Sequence, residues 1–128
     1  KFPKNLVFQG ELCGPGIQKN KLNLTNYDVF IFLIFDQNEK RYLTYDERIE
    51  ICKDFKIKHV EMNNRGIFKY NSIEELLFEA EGKYFGTKNS REGIVFEIDE
   101  NITFQKFSKF NRTSFKVISN NYLLKDVN

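Results

Sequence analysis

The chain has 128 residues with a formal net charge of +2, 41% hydrophobic residues and 30% charged residues, a composition that fits one soluble globular domain with a modest core. This weak positive charge does not by itself predict binding to nucleic acid. Two cysteines outside any Cys-x-x-Cys pattern and a single histidine argue against a zinc site or a Cys/His nucleophile, and no apolar run approaches the roughly 20 residues of a membrane-spanning helix.

The first half of the chain predicts three strands followed by a helix. The strands cover residues 6–12, 27–35 and 41–43. The continuous apolar run of the second strand is typical of a strand that is buried on both faces. Two glycines and a proline at 14–16 end the first strand with a tight turn. Thr44 and Glu47 have the spacing of a capping box, so we expect the helix to start directly after Thr44.

The second half predicts another short helix among further short strands. These strands cover residues 58–62, 93–98, 103–107 and 115–118. The helix is predicted from Ile73 to about Glu81, because Ser72 and Glu75 repeat the capping-box spacing and Gly82 is a suitable stop. Strands that are separated by turns or short helices favour an α+β fold with mainly antiparallel sheets and two short helices over a doubly wound parallel sheet.

The segment around Glu11 places polar side chains beside tight turns. The Glu11 carboxylate follows Gly10 at the end of a predicted strand, where it can approach a sugar hydroxyl or a metal-bound water; a solvated edge residue is the alternative. Gln18, Lys19 and Asn20 place two amides and an ammonium just past a bend. Such groups bind phosphates or base edges well, although a solvated loop explains them equally.

Three residues in or beside predicted strands are further candidates. Phe30 and Phe32 share one face of a strand; core packing explains Phe30, whereas Phe32 can present its ring to a purine. Lys116 stands in an otherwise apolar strand, and because burial of an unpaired ammonium is costly, it must snorkel, pair with a carboxylate or meet an anion. Glu92 directly precedes another apolar strand, which is a weak signal alone.

Together these stretches resemble the covalent nucleotidyltransferases, and among them the ATP-dependent RNA ligases of the phage RNA ligase 2 type. Five segments are similar to motifs of that family, in the family's order and over nearly the whole chain: residues 10–11 to motif III, 14–20 to the segment directly after it, 28–34 to motif IIIa, 92–95 to motif IV and 115–118 to motif V. The resemblance implies the C-terminal part of an ATP-grasp-like nucleotidyltransferase domain.

The resemblance also implies a role for each candidate residue. Glu11 would contact the ribose of ATP or AMP, and Phe32 would stack on the adenine. Glu92 would help to hold the catalytic Mg²⁺ or Mn²⁺, directly or through water. Lys116 would neutralise the α-phosphate, and Gln18 would be a further site residue. Such enzymes adenylylate a lysine with ATP, pass AMP to an RNA 5′-phosphate and seal it to a 3′-hydroxyl. We expect a cytoplasmic monomer that contacts no membrane.

One departure from the family concerns the nucleophile. The family's lysine lies in a Lys-x-Asp-Gly-like motif that precedes motif III, and no such motif occurs in these 128 residues. The chain also begins Lys1-Phe2-Pro3 without a methionine, which indicates a piece of a longer protein. We therefore expect residues 1–128 to be a single, partial nucleotidyltransferase domain that lacks the segment with this lysine: either the lysine lies upstream of residue 1 or the protein does not ligate. Alone, it should not form lysine–AMP.

Three further positions depart from the family's pattern. Glu97 replaces a basic residue, Ile118 replaces a second lysine and Leu33 replaces an acidic residue. These changes leave the phosphate charge less well compensated, and Lys125 or Arg112 are the candidates to compensate it. They favour the alternative of a degenerate, non-catalytic module that binds nucleotide or RNA. A third interpretation is a plain structural domain whose motifs are coincidental.

Overall fold

The computed structural model describes residues 3–98 and 114–126, with no side-chain description for Lys125 and Asp126. The predicted strand at 103–107 and Arg112 lie outside these residues. The strands are β1 (Leu6–Cys13), β2 (Asp28–Asp36), β3 (Arg41–Tyr42), β4 (Lys58–His59), β5 (Gly93–Glu97) and β6 (Ser114–Ile118). The helices are α1 (Tyr45–Asp54), α2 (Ile73–Ala80) and α3 (Asn120–Asp126), with a short 3₁₀ turn at Gln18–Asn20.

The chain divides into two compact units. Among the described residues, the first unit comprises 3–13, 27–61, 97–98 and 114, and the second comprises 14–26, 62–96 and 115–126. The predicted α+β class with mainly antiparallel sheets is confirmed, and the structure adds a third short helix that the sequence did not predict. None of the helices in the described residues has the length and hydropathy needed to cross a membrane.

The first unit contains a sheet in which β2 is central. β1 and β3 pair with β2 in antiparallel fashion, while β4 pairs with it in parallel. Ile31, Ile34, Leu43 and Cys52 form the buried core, to which α1 contributes Cys52. The expected burial of β2 on both faces holds only for its second half. Val29 is 41% exposed and Phe32, at the centre of the strand, is 39% exposed, so the prediction was too broad there.

Helix α1 begins where the capping box predicted. The Glu47 backbone N–H donates to Thr44 Oγ1 (3.3 Å) and the Thr44 N–H donates to Glu47 Oε1 (2.8 Å). The Arg41 guanidinium also donates to both Glu47 carboxylate oxygens, at 2.8 Å each. These bonds from Arg41 are the main reason that the pKa of Glu47 falls to about 2.

A buried arginine explains why an acidic residue stands at position 97. Arg48 is only 4% exposed, and its guanidinium donates to Glu97 Oε1 (2.7 Å), to the Leu43 carbonyl (3.2 Å) and to His59 Nε2 (3.1 Å). Burial lowers the pKa of His59, and its Nδ1 lies 2.7 Å from the Val60 carbonyl. A buried guanidinium needs a counter-charge, so Glu97 is occupied as a structural partner.

β5 and β6, which belong to the second unit except for their ends at Glu97 and Ser114, form a two-stranded sheet whose close approach requires a glycine. A Cβ on Gly93 would lie 2.0 Å from the Val117 carbonyl oxygen. Helix α2 starts after Ser72, whose hydroxyl accepts the Glu75 N–H (3.2 Å), but the Glu75 carboxylate accepts from Asn71 instead of closing the expected box. The Arg91 guanidinium caps the end of α2 by donating to its last carbonyls.

Candidate functional site

The turn after β1 holds its backbone in a costly conformation. Gln18, Lys19 and Asn20 all have positive φ, at 46°, 63° and 48°. The left-handed region costs an L-residue roughly 1–2 kcal/mol, and such strain concentrates at functional sites. The Asn20 side chain makes two hydrogen bonds to the Leu24 backbone: it donates to the carbonyl (2.8 Å) and accepts from the N–H (3.0 Å). The exposed Gln18 side chain is thus carried on a defined turn of the second unit.

A β-bulge sets the position of Phe32 relative to Glu11. Glu11 is paired in register with Phe30, but the register shifts between Gln9 and Gly10, so that Phe32 has no partner on β1. A Cβ on Gly10 would lie 2.7 Å from the Phe30 carbonyl oxygen, which explains the glycine before Glu11. Residues paired across strands share a face, as do alternate residues along a strand. The first unit therefore brings Glu11 and the exposed Phe32 ring to one part of its sheet.

Lys58, which no motif in the sequence indicates, lies beside this face. Lys58 on β4 pairs in register with Phe30 along the edge of β2 that does not pair with β1. Its Nζ lies 5.7 Å from the Phe30 ring centroid. Lys58 Nζ also lies 2.7 Å from Asp28 Oδ2, and this hydrogen bond is the main cause of the lowered pKa of Asp28. No sequence signal pointed to Lys58, because the parallel pairing of β4 with β2 is a tertiary contact.

In the second unit, Glu92 and Lys116 form an ion pair in which the Lys116 ammonium donates to Glu92 Oε1. The Lys116 side chain is 49% exposed, and its pairing with a carboxylate is one of the three outcomes that the sequence predicted for this ammonium. Two bonds fix the Glu92 backbone: its N–H donates to the Tyr84 hydroxyl (3.2 Å), and its carbonyl accepts the Ser119 N–H (2.7 Å).

The remaining departures from the family's pattern have different outcomes. Leu33 is buried in the first unit, 6% exposed, where an unpaired carboxylate would be unfavourable. Glu97 is paired with the buried Arg48. Of the two residues expected to compensate for lost positive charge, Arg112 lies outside the described residues, and the structure describes no side chain for Lys125.

The predicted site residues therefore fall into two sets. The first unit brings together Glu11 and Phe32, and the second unit brings together Glu92 and Lys116. Gln18 also belongs to the second unit, on its strained turn. Within residues 3–98 and 114–126 there is no group of three or more His, Cys, Asp or Glu side chains that could hold a metal ion.

Comparisons with known proteins agree with the motif resemblance. Residues 1–118 match the family model for RNA ligase. Among solved structures, Naegleria gruberi RNA ligase with PPi is 32% identical with a TM-score of 0.76, and two mutants of that ligase, one with ATP and Mn and one with AMP and Mn, are each 34% identical with a TM-score of 0.74.

Each of these comparisons covers 94% of this chain and 34% of the other, so the chain spans about a third of the length of the solved ligases that it matches. None of the curated proteins compared with the chain matches it. The family model extends over most of the sequence, including all five motif-like segments. The predicted family is thereby confirmed, and the chain belongs to the RNA ligase family.

Proposed function

We propose that this chain is part of the nucleotidyltransferase domain of an ATP-dependent ligase that joins RNA ends carrying a 5′-phosphate and a 3′-hydroxyl. The full-length protein transfers AMP from ATP to a lysine, passes it to the RNA 5′-phosphate and releases it on sealing. The RNA ligase family and the relatives with ATP or AMP and Mn support this proposal. The observation that carries it is the Glu92–Lys116 pair, which joins the motif IV and motif V segments.

For the first unit, we propose contacts to the adenosine. Phe32 stacks on the adenine, which its 39% exposure permits, and base–aromatic stacking contributes roughly 1–3 kcal/mol. The Glu11 carboxylate accepts hydrogen bonds from the ribose hydroxyls. Gly10 matters indirectly, because only a residue without Cβ allows β1 to approach β2 closely at the bulge beside Glu11.

For Lys116, we propose a contact to the α-phosphate. The negative charge on this group grows as a nucleophile attacks, and a fixed ammonium stabilises that charge. Lys116 is half-exposed and already pairs with a carboxylate, so a phosphate oxygen replaces one anionic partner with another. The same exchange releases the Glu92 carboxylate. Gln18, on its strained turn, supplies a further polar contact to the nucleotide.

The Glu92 carboxylate is a suitable ligand for a divalent ion such as Mg²⁺ or Mn²⁺ if phosphate oxygens and water supply the other ligands. These ions favour carboxylate oxygen and are commonly held by one or two carboxylates together with phosphate oxygens and water. Glu92 offers one carboxylate, and the described residues contain no larger cluster of protein ligands. We propose that Glu92 holds the ion directly or through water. When bound, the ion supplies Lewis-acid assistance to phosphoryl transfer.

We propose that the nucleophilic lysine lies outside these 128 residues, because no Lys-x-Asp-Gly-like motif occurs in them. The attacking amine must be neutral, and a nearby cation such as Lys116 lowers the pKa of an amine. The alternative of a non-catalytic module that binds nucleotide or RNA is favoured by Glu97 and Ile118, since the former is occupied by Arg48 and the latter lacks a charge.

We further propose that the protein acts as a monomer in RNA repair in the cytoplasm. Both of its cysteines, Cys13 and Cys52, are free thiols, and burial raises the pKa of each. Unpaired cysteines are typical of proteins in reducing compartments.

Nucleotide binding by the full-length protein tests these assignments. We expect Phe32→Ala and Lys116→Ala each to weaken ATP binding at least about fivefold, as the loss of a stacking or charge-assisted contact predicts. Phe78→Ala and Lys88→Ala are matched controls, because both side chains are exposed and neither belongs to the proposed site. Calorimetric affinities that do not distinguish the site variants from these controls would refute the assignments.

A further inference from the structure

The connection between α2 and β5, residues 81–92, is closed on itself by its own hydrogen bonds. The Tyr84 N–H donates to the Asn89 carbonyl (3.0 Å), and the Thr87 N–H donates to the Tyr84 carbonyl (3.0 Å). Lys83 and Ser90 form an isolated bridge beside them. The Arg91 N–H donates to the Gly82 carbonyl (3.0 Å) while the Arg91 side chain caps α2. This connection is therefore a defined loop anchored to a helix end.

Two side chains of this loop make hydrogen bonds close to candidate site residues of the second unit: one contacts Glu92 at the end of the loop, and the other contacts the segment directly after Gln18–Asn20. The Tyr84 hydroxyl accepts the backbone N–H of Glu92 (3.2 Å). The Asn89 side-chain amide donates to the Lys21 carbonyl (2.7 Å) and to Asn23 Oδ1 (3.3 Å). A carbonyl can only accept, so the Asn89 nitrogen must face Lys21.

The two contacts differ in what they hold. Tyr84 fixes the backbone from which the Glu92 carboxylate projects, together with the Ser119 N–H on the Glu92 carbonyl. Asn89 holds the chain directly after the left-handed turn at Gln18–Asn20. That turn persists only when its surroundings enforce it, because three successive L-residues have unfavourable φ values.

We propose that Tyr84 and Asn89 are positioning residues: Tyr84 orients Glu92 toward the divalent ion, and Asn89 orients Gln18 toward the nucleotide. This inference rests on the proposed function, because it assumes those roles for Glu92 and Gln18. It adds that one loop, 81–92, sets the geometry of both residues although Gln18 is distant from it in sequence.

The first test measures Mn²⁺ affinity of the full-length protein with AMP present, by the electron paramagnetic resonance signal of free Mn²⁺. We expect Tyr84→Phe, which removes only the hydroxyl, to weaken Mn²⁺ binding about fivefold, the scale of one lost hydrogen bond. Tyr122→Phe is the matched control, because the Tyr122 hydroxyl makes no hydrogen bond to the described residues while its ring packs under Lys21. Equal Mn²⁺ affinities of the two variants would overturn the role of Tyr84.

The second test measures AMP affinity without metal. We expect Asn89→Asp, which exchanges the donor for an acceptor of the same shape, to weaken AMP binding about fivefold. Lys88→Ala is the control in the same loop, and we expect it to leave AMP binding unchanged. Asn89→Gln, which keeps the amide but displaces it, should give a similar loss if Asn89→Asp does not fold. Wild-type AMP affinity in a folded Asn89 variant would overturn the role of Asn89.

Substitutions of Glu92 and Gln18 themselves distinguish a failure of this inference from a failure of the proposed function. If Glu92→Gln and Gln18→Ala leave Mn²⁺ and AMP affinity unchanged, the proposed roles of Glu92 and Gln18 are wrong. If those variants weaken binding but Tyr84→Phe and Asn89→Asp do not, only the positioning inference is wrong. We expect Tyr84→Phe to add nothing further in a Glu92→Gln background, because the two changes act on one contact.

Discussion

At the scale of single residues, two positions require glycine because the backbone of a neighbouring strand leaves no room for a Cβ. Gly10 precedes Glu11 at the bulge of β1, and Gly93 follows Glu92 at the start of β5. At each position a Cβ would overlap a carbonyl oxygen of the neighbouring strand. Strand packing therefore requires the glycines in these two motif-like segments, whether or not the adjacent glutamates bind a ligand.

This cause predicts a clear difference between two glycine variants. Gly93→Ala should lower the free energy of unfolding by about 2 kcal/mol, since a Cβ placed 2.0 Å from the Val117 oxygen forces β5 and β6 apart. Gly66→Ala is the control, because a Cβ there would have nothing within 4 Å, and it should change stability by less than about 0.5 kcal/mol. Urea unfolding of both variants measures the difference; equal midpoints would contradict the account.

Residue-level predictions from the sequence succeeded where the signal was local. The five motif-like segments pointed to the RNA ligase family without any structure. The sequence left three outcomes open for Lys116, because the partner of a strand residue depends on tertiary contacts, and it did not reveal that Glu97 pairs with Arg48. The partners in that pair are 49 residues apart, so neither the composition nor the spacing of either segment shows it.

At the scale of elements, helix α1 shows how local chemistry defines a boundary. Thr44 and Glu47 satisfy each other's backbone N–H groups, and Arg41 neutralises the Glu47 carboxylate. All three residues are near neighbours in sequence, which is why the start of α1 could be predicted. The first turn of α3 has one local contact, from the Tyr122 N–H to the Ser119 hydroxyl, and two contacts to the Glu81 carboxylate, which lies 38 residues from Ser119 and which the sequence does not reveal.

The cap of α1 also predicts how stability depends on pH. The folded protein holds the pKa of Glu47 at about 2, below the ordinary value of 4.5, so the folded state favours the carboxylate. The stabilisation is complete above pH 4.5 and is lost as pH falls from 4.5 toward 2. Glu47→Gln should therefore flatten the slope of unfolding free energy against pH in this window.

Urea unfolding at several pH values measures that slope. Part of it should remain in Glu47→Gln, because the pKa of Asp36 is also lowered, chiefly by the Glu39 N–H. A slope in Glu47→Gln as steep as in the wild type would show that the Arg41–Glu47 pair does not stabilise the fold.

At the scale of the whole molecule, the candidate residues are distributed over two compact units: the first holds Glu11 and Phe32, and the second holds Gln18, Glu92 and Lys116. The α+β class could be predicted because short strands alternate with turns and short helices. The division into units could not, because the segments of each unit interleave along the chain. Membership of the RNA ligase family rests on most of the sequence, whereas the chain spans about a third of the solved ligases' length.

The central claim is that this chain is part of a ligase in which a lysine outside residues 1–128 receives AMP. The most direct measurement incubates the full-length protein with ATP and Mn²⁺ and maps the adduct by peptide mass spectrometry. We predict an AMP adduct on one lysine outside this segment and none on the 128-residue chain alone. An adduct on a lysine of the segment, or nucleotide binding with no adduct at all, would contradict the account.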